Sequence, residues 1–474
     1  MTFTRFKKFG KQEYAYEVKA YWDPKLQKSR QNSSYLGVVI DKEKNIFEKR
    51  LSLNKQEKYI LDFGDAFAIN NCLENSGFNG FIKKIFGKKS DSIMALLNYK
   101  LCHGGAMNYA DKWFDGSYAK IQYKNANISS QRISELFKDI GDESLLREFF
   151  RRYISEYTNS KNGIIIDVTS LPNQIHIPLS TWGLRGEEID KQIRFLLVVD
   201  KETHYPLYFR ILPGNIVDVS ALKNTLEELK KYDVESNFIC LDAGFFSEDN
   251  IKDFYERKID FLTRLPSSRI VYRQLIQEEM PHIEASKNAV RYGKRGLFIK
   301  QKEIILFENK AYAHIVLDPQ RKGRETSKLL LEIFDEKSLH ENTETDYLLM
   351  KKGVMILVSS SLISKEEVVK MYYLRQTAEN LFGFSKDDLS ILPLRVHSEE
   401  ALRGFLFMQF LTLIAFIQLR NKLKVDYSVE EALIILRNLK CKVYEKDVIV
   451  SEPTRLQREI SNRLNFLMPK VAGI

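Results

Sequence analysis

Two short, strongly β-forming runs that each end in an aspartate constrain this chain more than any other feature. Ile164-Ile165-Ile166 runs into Asp167, and Phe238-Ile239-Cys240-Leu241 runs into Asp242. Both runs are apolar without alternation, which suits strands buried on both faces. Ile193 to Val199 and Tyr205 to Leu212 read as two more strands, joined around Asp200-Lys201-Glu202. A helix is expected from about Asp218 to Lys231, another from about Glu248 to Lys258, and a strand from Ile259 to Thr263. The first three strands can pair antiparallel, while the later ones need helical crossovers. The order therefore predicts a mixed sheet covered by helices.

Each aspartate leads into polar or Gly-containing sequence, Val168-Thr169-Ser170 and Ala243-Gly244. Open sheets place ligands at strand carboxyl ends. One such Asp more often caps a turn; two on one sheet weaken that reading. A third element starts after Ser364, where a long helix is expected with Glu366 and Glu367 in its first turn, favoured by the dipole. At about 100° per residue, Tyr372, Arg375, Glu379 and Lys386 fall within about 60° of one another if the helix persists that far. A salt-bridged surface helix would give a mixed-charge stripe too. It would not explain the tyrosine.

These residues resemble the DDE insertion-sequence transposases marked by the signature Tyr-x2-Arg-x3-Glu-x6-Lys (insertion sequence family four and its relatives). Tyr372, Arg375, Glu379 and Lys386 match at every spacing. Asp167-Val168-Thr169 matches the family's Asp-x-Thr context, Asp242-Ala243-Gly244 its second aspartate, and Pro213-Gly214-Asn215, with Asp218 beyond, its Pro-Gly-Asn loop. The likeness covers roughly residues 160 to 400. It implies an α/β, RNase H-like mixed-sheet core in which Asp167, Asp242 and Glu379 are catalytic and hold Mg²⁺, with Mn²⁺ as a substitute. It further implies that Tyr372, Arg375 and Lys386 hold DNA phosphates. Arg264, at the end of the last core strand, reads equally well as a DNA contact or an exposed side chain.

The resemblance also accounts for the 137-residue separation of Asp242 and Glu379. Residues 266–361 are expected to form a largely β insertion, with strand-like runs at Gly296 to Ile299, Glu303 to Phe307, Ala311 to Leu317 and Val354 to Val358. Arg321-Lys322-Gly323-Arg324 reads as a basic turn, more often solvated than bound to DNA backbone. The catalytic core would then occupy 159–265 and 362–397. Residues 1–158 are expected to be a DNA-binding region, a β hairpin around Tyr35 to Phe47 followed by helices. Ser130 to Phe137, capped by Ser130, and the stretch after Gly141 read as a helix-turn-helix or an ordinary helical pair. Residues 398–474 read as helical. Trp182, with Gly183 and Arg185, falls between two strands and reads as turn packing more readily than as a base-stacking platform.

Composition narrows the class. Of 474 residues, 44% are hydrophobic and 29% charged, enough for packed cores and too polar for a mostly membrane-embedded chain. Phe405 to Leu419 is apolar but short for a bilayer span and contains Gln409 and Gln418, so a buried helix is expected. The N-terminus lacks a signal-peptide core, and the expected location is cytoplasmic, with the nucleoid. Cys72, Cys102, Cys240 and Cys441 form no CxxC pair and read as reduced, buried thiols. The net charge of +10 favours a polyanion. The expected partners are double-stranded DNA, as terminal inverted repeats and target, and a second copy of the chain in the DNA complex. Two competing readings share the carboxylates: a nuclease that cuts without joining, and a decayed transposase that only binds DNA.

Overall fold

The computed structural model describes residues 2–10, 12–23, 27–42, 46–48, 57–157, 163–173, 175–185, 188–216, 218–335, 343–375, 396, 398–424, 426–445 and 447–472. The backbone divides into two compact units: residues 1–59, 442–449 and 471–473, and residues 60–441, 450–470 and 474.

The first unit carries a four-stranded antiparallel sheet, β1 (Thr2–Phe9), β2 (Gln12–Asp23), β3 (Lys28–Asp41) and β4 (Ile46–Glu48), in that order. The hairpin expected from Tyr35 to Phe47 is the β3–β4 pair, in which Val39 lies opposite Phe47. The strands β1 and β2 were not expected.

The second unit begins with helices α1 (Gly64–Asn75), α2 (Phe78–Phe86), α3 (Ser90–His103), α4 (Ala110–Gly116), α5 (Ala119–Gln122), α6 (Ser130–Ile140) and α7 (Glu143–Tyr157). The N-cap of α6 is Ser129, one residue earlier than expected. In α7 the buried face is Leu146, Phe149, Phe150, Tyr153 and Ile154, while the exposed face pairs Arg147 with Glu143 and Arg152 with Glu148. That is the pattern of a packed amphipathic helix.

Ten strands follow in one sheet: β5 (Ile164–Pro172), β6 (Thr181–Arg185), β7 (Glu188–Asp200), β8 (Pro206–Pro213), β9 (Phe238–Leu241), β10 (Asp260–Arg264), β11 (Ala289–Tyr292), β12 (Arg295–Leu306), β13 (Asn309–Leu317) and β14 (Val354–Ser359). Their order is β11-β12-β13-β14-β10-β9-β5-β7-β6, with β8 also paired to β7. Helices α8 (Asp218–Lys230) and α9 (Glu248–Arg257) provide the crossovers around β9. The mixed sheet expected from the sequence is therefore present: β5, β9 and β10 run parallel, and β7 and β14 flank them antiparallel.

Three details differ from the expectation. Thr181 to Arg185 is a strand, so Trp182 is not packed in a turn; its side chain is 66% exposed. The strands between 266 and 361 extend the core sheet edge to edge, because β14 hydrogen-bonds to β10. The basic run Arg321 to Arg324 lies inside helix α11 (Pro319–Asp335), which follows α10 (Ile270–Glu279), and there Arg321 pairs with Glu325 and Lys322 with Glu284.

After α12 (Thr343–Lys351) and β14 comes α13 (Lys365–Tyr373), and later the long helix α14 (Glu399–Leu423). Among the described residues α14 alone is long and apolar enough to cross a bilayer, and it is buried in this unit, as expected. Phe407 and Phe410 pack edge-on to Phe149 of α7, and Phe410 meets Phe209 of β8. The remaining chain is not purely helical: beside α15 (Val429–Arg437) and α16 (Arg455–Arg463) it forms the short strands Lys440–Val443, Val448–Val450 and Val471–Ala472.

Candidate functional site

The register of the central strands sets the site. Ile239 pairs with Ile164 and Cys240 with Ile165 in parallel. Continued two residues, that register brings Asp242 beside Asp167. Asp242 is the residue after the end of β9. Asp167 is not at the end of its own strand, as expected from the sequence; β5 continues to Pro172, pairing Asp167 with Leu197. It stands instead where its neighbour β9 stops, which opens one side of it. Its residue is 6% exposed, and the Asp242 side chain 40%. The carbonyl of Asp242 accepts from Thr263 Oγ1 at 3.3 Å, which ties the turn to β10.

Helix α13 returns over these carboxylates; it ends at Tyr373 with Leu374 in a turn, so the long helix expected after Ser364 is interrupted there and Arg375 lies two residues beyond α13. The Tyr372 hydroxyl donates to Asp242 Oδ1 at 3.0 Å. Arg375 donates from Nη1 to Asp167 Oδ1 at 3.2 Å and places Nη2 3.8 Å from Asp242 Oδ1. The guanidinium also lies 5.4 Å from the centre of the Tyr372 ring. Burial pushes the Tyr372 hydroxyl well above the usual phenol range, and the Asp242 charge pushes it further. It is a neutral donor at ordinary pH. Arg264 is half-buried at the end of β10, next to Thr263, whose hydroxyl holds the Asp242 carbonyl.

Of the residues singled out from the sequence, the fold thus gathers Asp167, Asp242, Tyr372, Arg375 and Arg264. Glu379 and Lys386 lie outside the described residues. The Pro-Gly-Asn loop is structural. A Cβ on Gly214 would stand 2.3 Å from the Gln192 carbonyl oxygen and 2.6 Å from that of Thr181. Asn215 is held by its backbone N–H on Thr181 Oγ1 at 2.9 Å.

All four cysteines are buried, as expected. Cys240 lies directly beneath the site, with its thiol 3.8 Å from the Met371 carbonyl of α13. Burial pushes its pKa up to about 12. It is therefore a thiol at ordinary pH.

One supporting group was not found from the sequence. His314 on β13 is fully buried, with Nδ1 2.8 Å from Gln301 Nε2 and Nε2 2.8 Å from Ser359 Oγ. The Gln301 amide also donates to the Ile363 carbonyl, and Ser359 Oγ to that of Ser361. The network therefore fastens three strands to the loop that starts α13. The amide donates to Nδ1 and the Ser359 hydroxyl donates elsewhere, so the imidazole is neutral with its proton on Nε2. Burial lowers its pKa to about 4 from 6.5. The unfolded chain binds the extra proton first as pH falls. His314 thus contributes full stability above about pH 6.5, and that contribution is lost between pH 6.5 and 4, on the order of 3 kcal/mol. A His314→Gln variant should show a shallower fall in urea midpoint over this window. Parallel falls in variant and wild type would sink the assignment.

An α/β fold with two aspartates side by side where the middle strand β9 ends, with a Tyr from a later helix and an Arg just past it brought onto them, defines an enzyme-like acidic centre near the usual ligand position of an open sheet. Residues 158–415 match the family model described as the transposase DDE domain, and the chain belongs to that family. This makes it a protein of DNA transposition, with DNA as its partner. The cryo-EM structure of a piggyBac transposase synaptic complex with hairpin DNA is similar over 80% of this chain and 74% of that one, at 14% identity and a TM-score of 0.41. No curated protein matches the chain.

Proposed function

We propose that the chain is the transposase of a bacterial-type insertion sequence. It binds the terminal inverted repeats of its element, cleaves DNA at the element ends and transfers the 3′-hydroxyl ends to target DNA. The observation that carries the reading is the pairing of Asp167 with Asp242 under Tyr372 and Arg375.

The donor set fits a hard divalent cation, because neighbouring carboxylates offer only oxygen and Asp242 is open to solvent. Asp167, Asp242 and Glu379 would hold Mg²⁺, for which Mn²⁺ can substitute. When bound, the metal ions stabilise charge on the attacking and leaving oxygens of the phosphodiester. Arg375 now supplies positive charge between the two aspartates. In the DNA complex its planar fork suits a phosphate bidentately, Lys386 acts as a point charge, and the neutral Tyr372 hydroxyl donates one hydrogen bond. Arg264 adds charge on the same side. The N-terminal region binds the repeats, and two copies act on paired ends.

Purified protein incubated with Mg²⁺ and DNA bearing its element's ends should cut and join to a target. Glu379→Gln should bind the DNA and do neither. Cutting without joining would replace this reading with a nuclease. Binding without cutting in Mg²⁺ or Mn²⁺ would remove catalysis altogether.

A further inference from the structure

Arg375 engages the same aspartate oxygens that a metal at this centre would use. Its Nη1 donates to Asp167 Oδ1 at 3.2 Å, and its Nη2 lies 3.8 Å from Asp242 Oδ1. The Tyr372 hydroxyl donates to that Asp242 oxygen as well. One oxygen of each aspartate is thus turned toward a donor. The contact with Asp167 is also dry: the Arg375 side chain is 13% exposed and that of Asp167 8%. Where water is scarce, like charges repel strongly. A divalent cation on Asp167 and Asp242 must therefore displace the guanidinium, because it cannot sit beside it cheaply.

A phosphate suits the same fork. It accepts two parallel N–H bonds from a guanidinium, as a carboxylate does. Arg375 stands two residues past the end of α13, and its long side chain can turn to a phosphate by rotation about its own bonds. The helix and the Tyr372 contact then stay in place. Two neighbouring carboxylates are left without their cation, and their mutual repulsion favours a new one.

We propose that Arg375 is a latch on the metal site. Its guanidinium and a divalent cation exclude one another at Asp167 and Asp242, and a DNA phosphate that takes the guanidinium opens the site. Metal and DNA therefore bind cooperatively, each raising the other's affinity by the same factor. The acidic centre is closed to metal until a strand lies over it. The inference rests on the proposed metal site and on Arg375 as a phosphate contact; it does not need the joining reaction.

The test is the Mn²⁺ affinity of the full chain, read from the electron paramagnetic resonance of the free ion. Each protein is titrated alone and with a saturating duplex that stops at the element's own end, which leaves no end to cut. The ion taken up by the duplex alone is subtracted. In wild type the duplex should tighten Mn²⁺ binding roughly 5–150-fold. Arg375→Ala should bind Mn²⁺ tighter than wild type without DNA, and the duplex should then add little. Arg264, at the end of β10, makes no ion pair with either aspartate, so Arg264→Ala should leave Mn²⁺ affinity near that of wild type. Equal tightening by the two substitutions would mean net charge and not a latch, and overturns the proposal. So does a duplex effect that is absent in wild type or equally large in Arg375→Ala. Asp167→Asn added to Arg375→Ala should abolish the gain. Mn²⁺ binding that survives it places the ion elsewhere, and then the metal assignment itself falls, and the latch with it.

Discussion

Asp167→Asn should lose cleavage at DNA ends by more than the roughly 10–100-fold that removing a mere hydrogen-bond partner of a metal ligand costs. The change is isosteric, so β5 and its pairing with β9 and β7 should survive. What disappears is one negative charge at a site where Arg375 already supplies a positive one 3.2 Å away. A neutral amide binds a hard divalent cation far less well than a carboxylate. Mn²⁺ should not restore the rate, and DNA binding measured in EDTA should remain. Cleavage within a few-fold of wild type, in a protein with an unchanged melting curve, would remove Asp167 from the chemistry.

Gly404→Ala should destabilise the second unit by about 1–3 kcal/mol or more, because it forces apart a helix crossing. A Cβ at Gly404 of α14 would lie 1.8 Å from the Phe137 carbonyl oxygen of α6, and one at Gly141 would lie 1.9 Å from that of Glu400. Both obstacles are backbone, so no side chain can rotate away. The crossing is clasped further by Arg403, whose Nε donates to the Gly141 carbonyl at 3.0 Å. Gly80 on α2 is the control: a Cβ there meets nothing within 4 Å. Gly80→Ala should therefore stabilise, by about 0.5–1 kcal/mol. Urea unfolding of the two variants should move the midpoint in opposite directions. An unchanged midpoint for Gly404→Ala would show that the helices separate without cost.

The central strands were legible because burial on both faces demands continuous apolar runs, and Ile164 to Ile166 and Phe238 to Leu241 have them. The buried character of α14 was legible for the same reason. Strands β1 and β2 were not. Their charged and aromatic residues alternate without a dry face, so they lack the usual amphipathic contrast. Thr181 to Arg185 was missed because it is short and contains Gly183, whose place is set by contact with Gly214, thirty-one residues later. That β14 pairs with β10, and so fuses the segment 266–361 to the core sheet, depends on register between distant strands. His314 escaped notice because Gln301 and Ser359 lie thirteen and forty-five residues away.

In the site itself the sequence supplied residue types and spacing, from which Asp167, Asp242, Tyr372 and Arg375 could be grouped. It did not supply their contacts. The bridge made by Arg375 across both aspartates follows from where α13 ends over the sheet, two residues before it.

The parallel register of β5 and β9 acts as a ruler. The spacing of Asp167 and Asp242 is set by the paired strands that lead to them, whose backbones lie about 4.8 Å apart two residues before the aspartates. Surface loops and crossover helices can therefore vary widely in sequence without changing that distance. The strands under the two carboxylates separate only when the middle of the sheet comes apart, so the base of this half of the site is as durable as the fold. Adaptation to a different DNA end falls instead to whatever α13 and the outer strands bring to it.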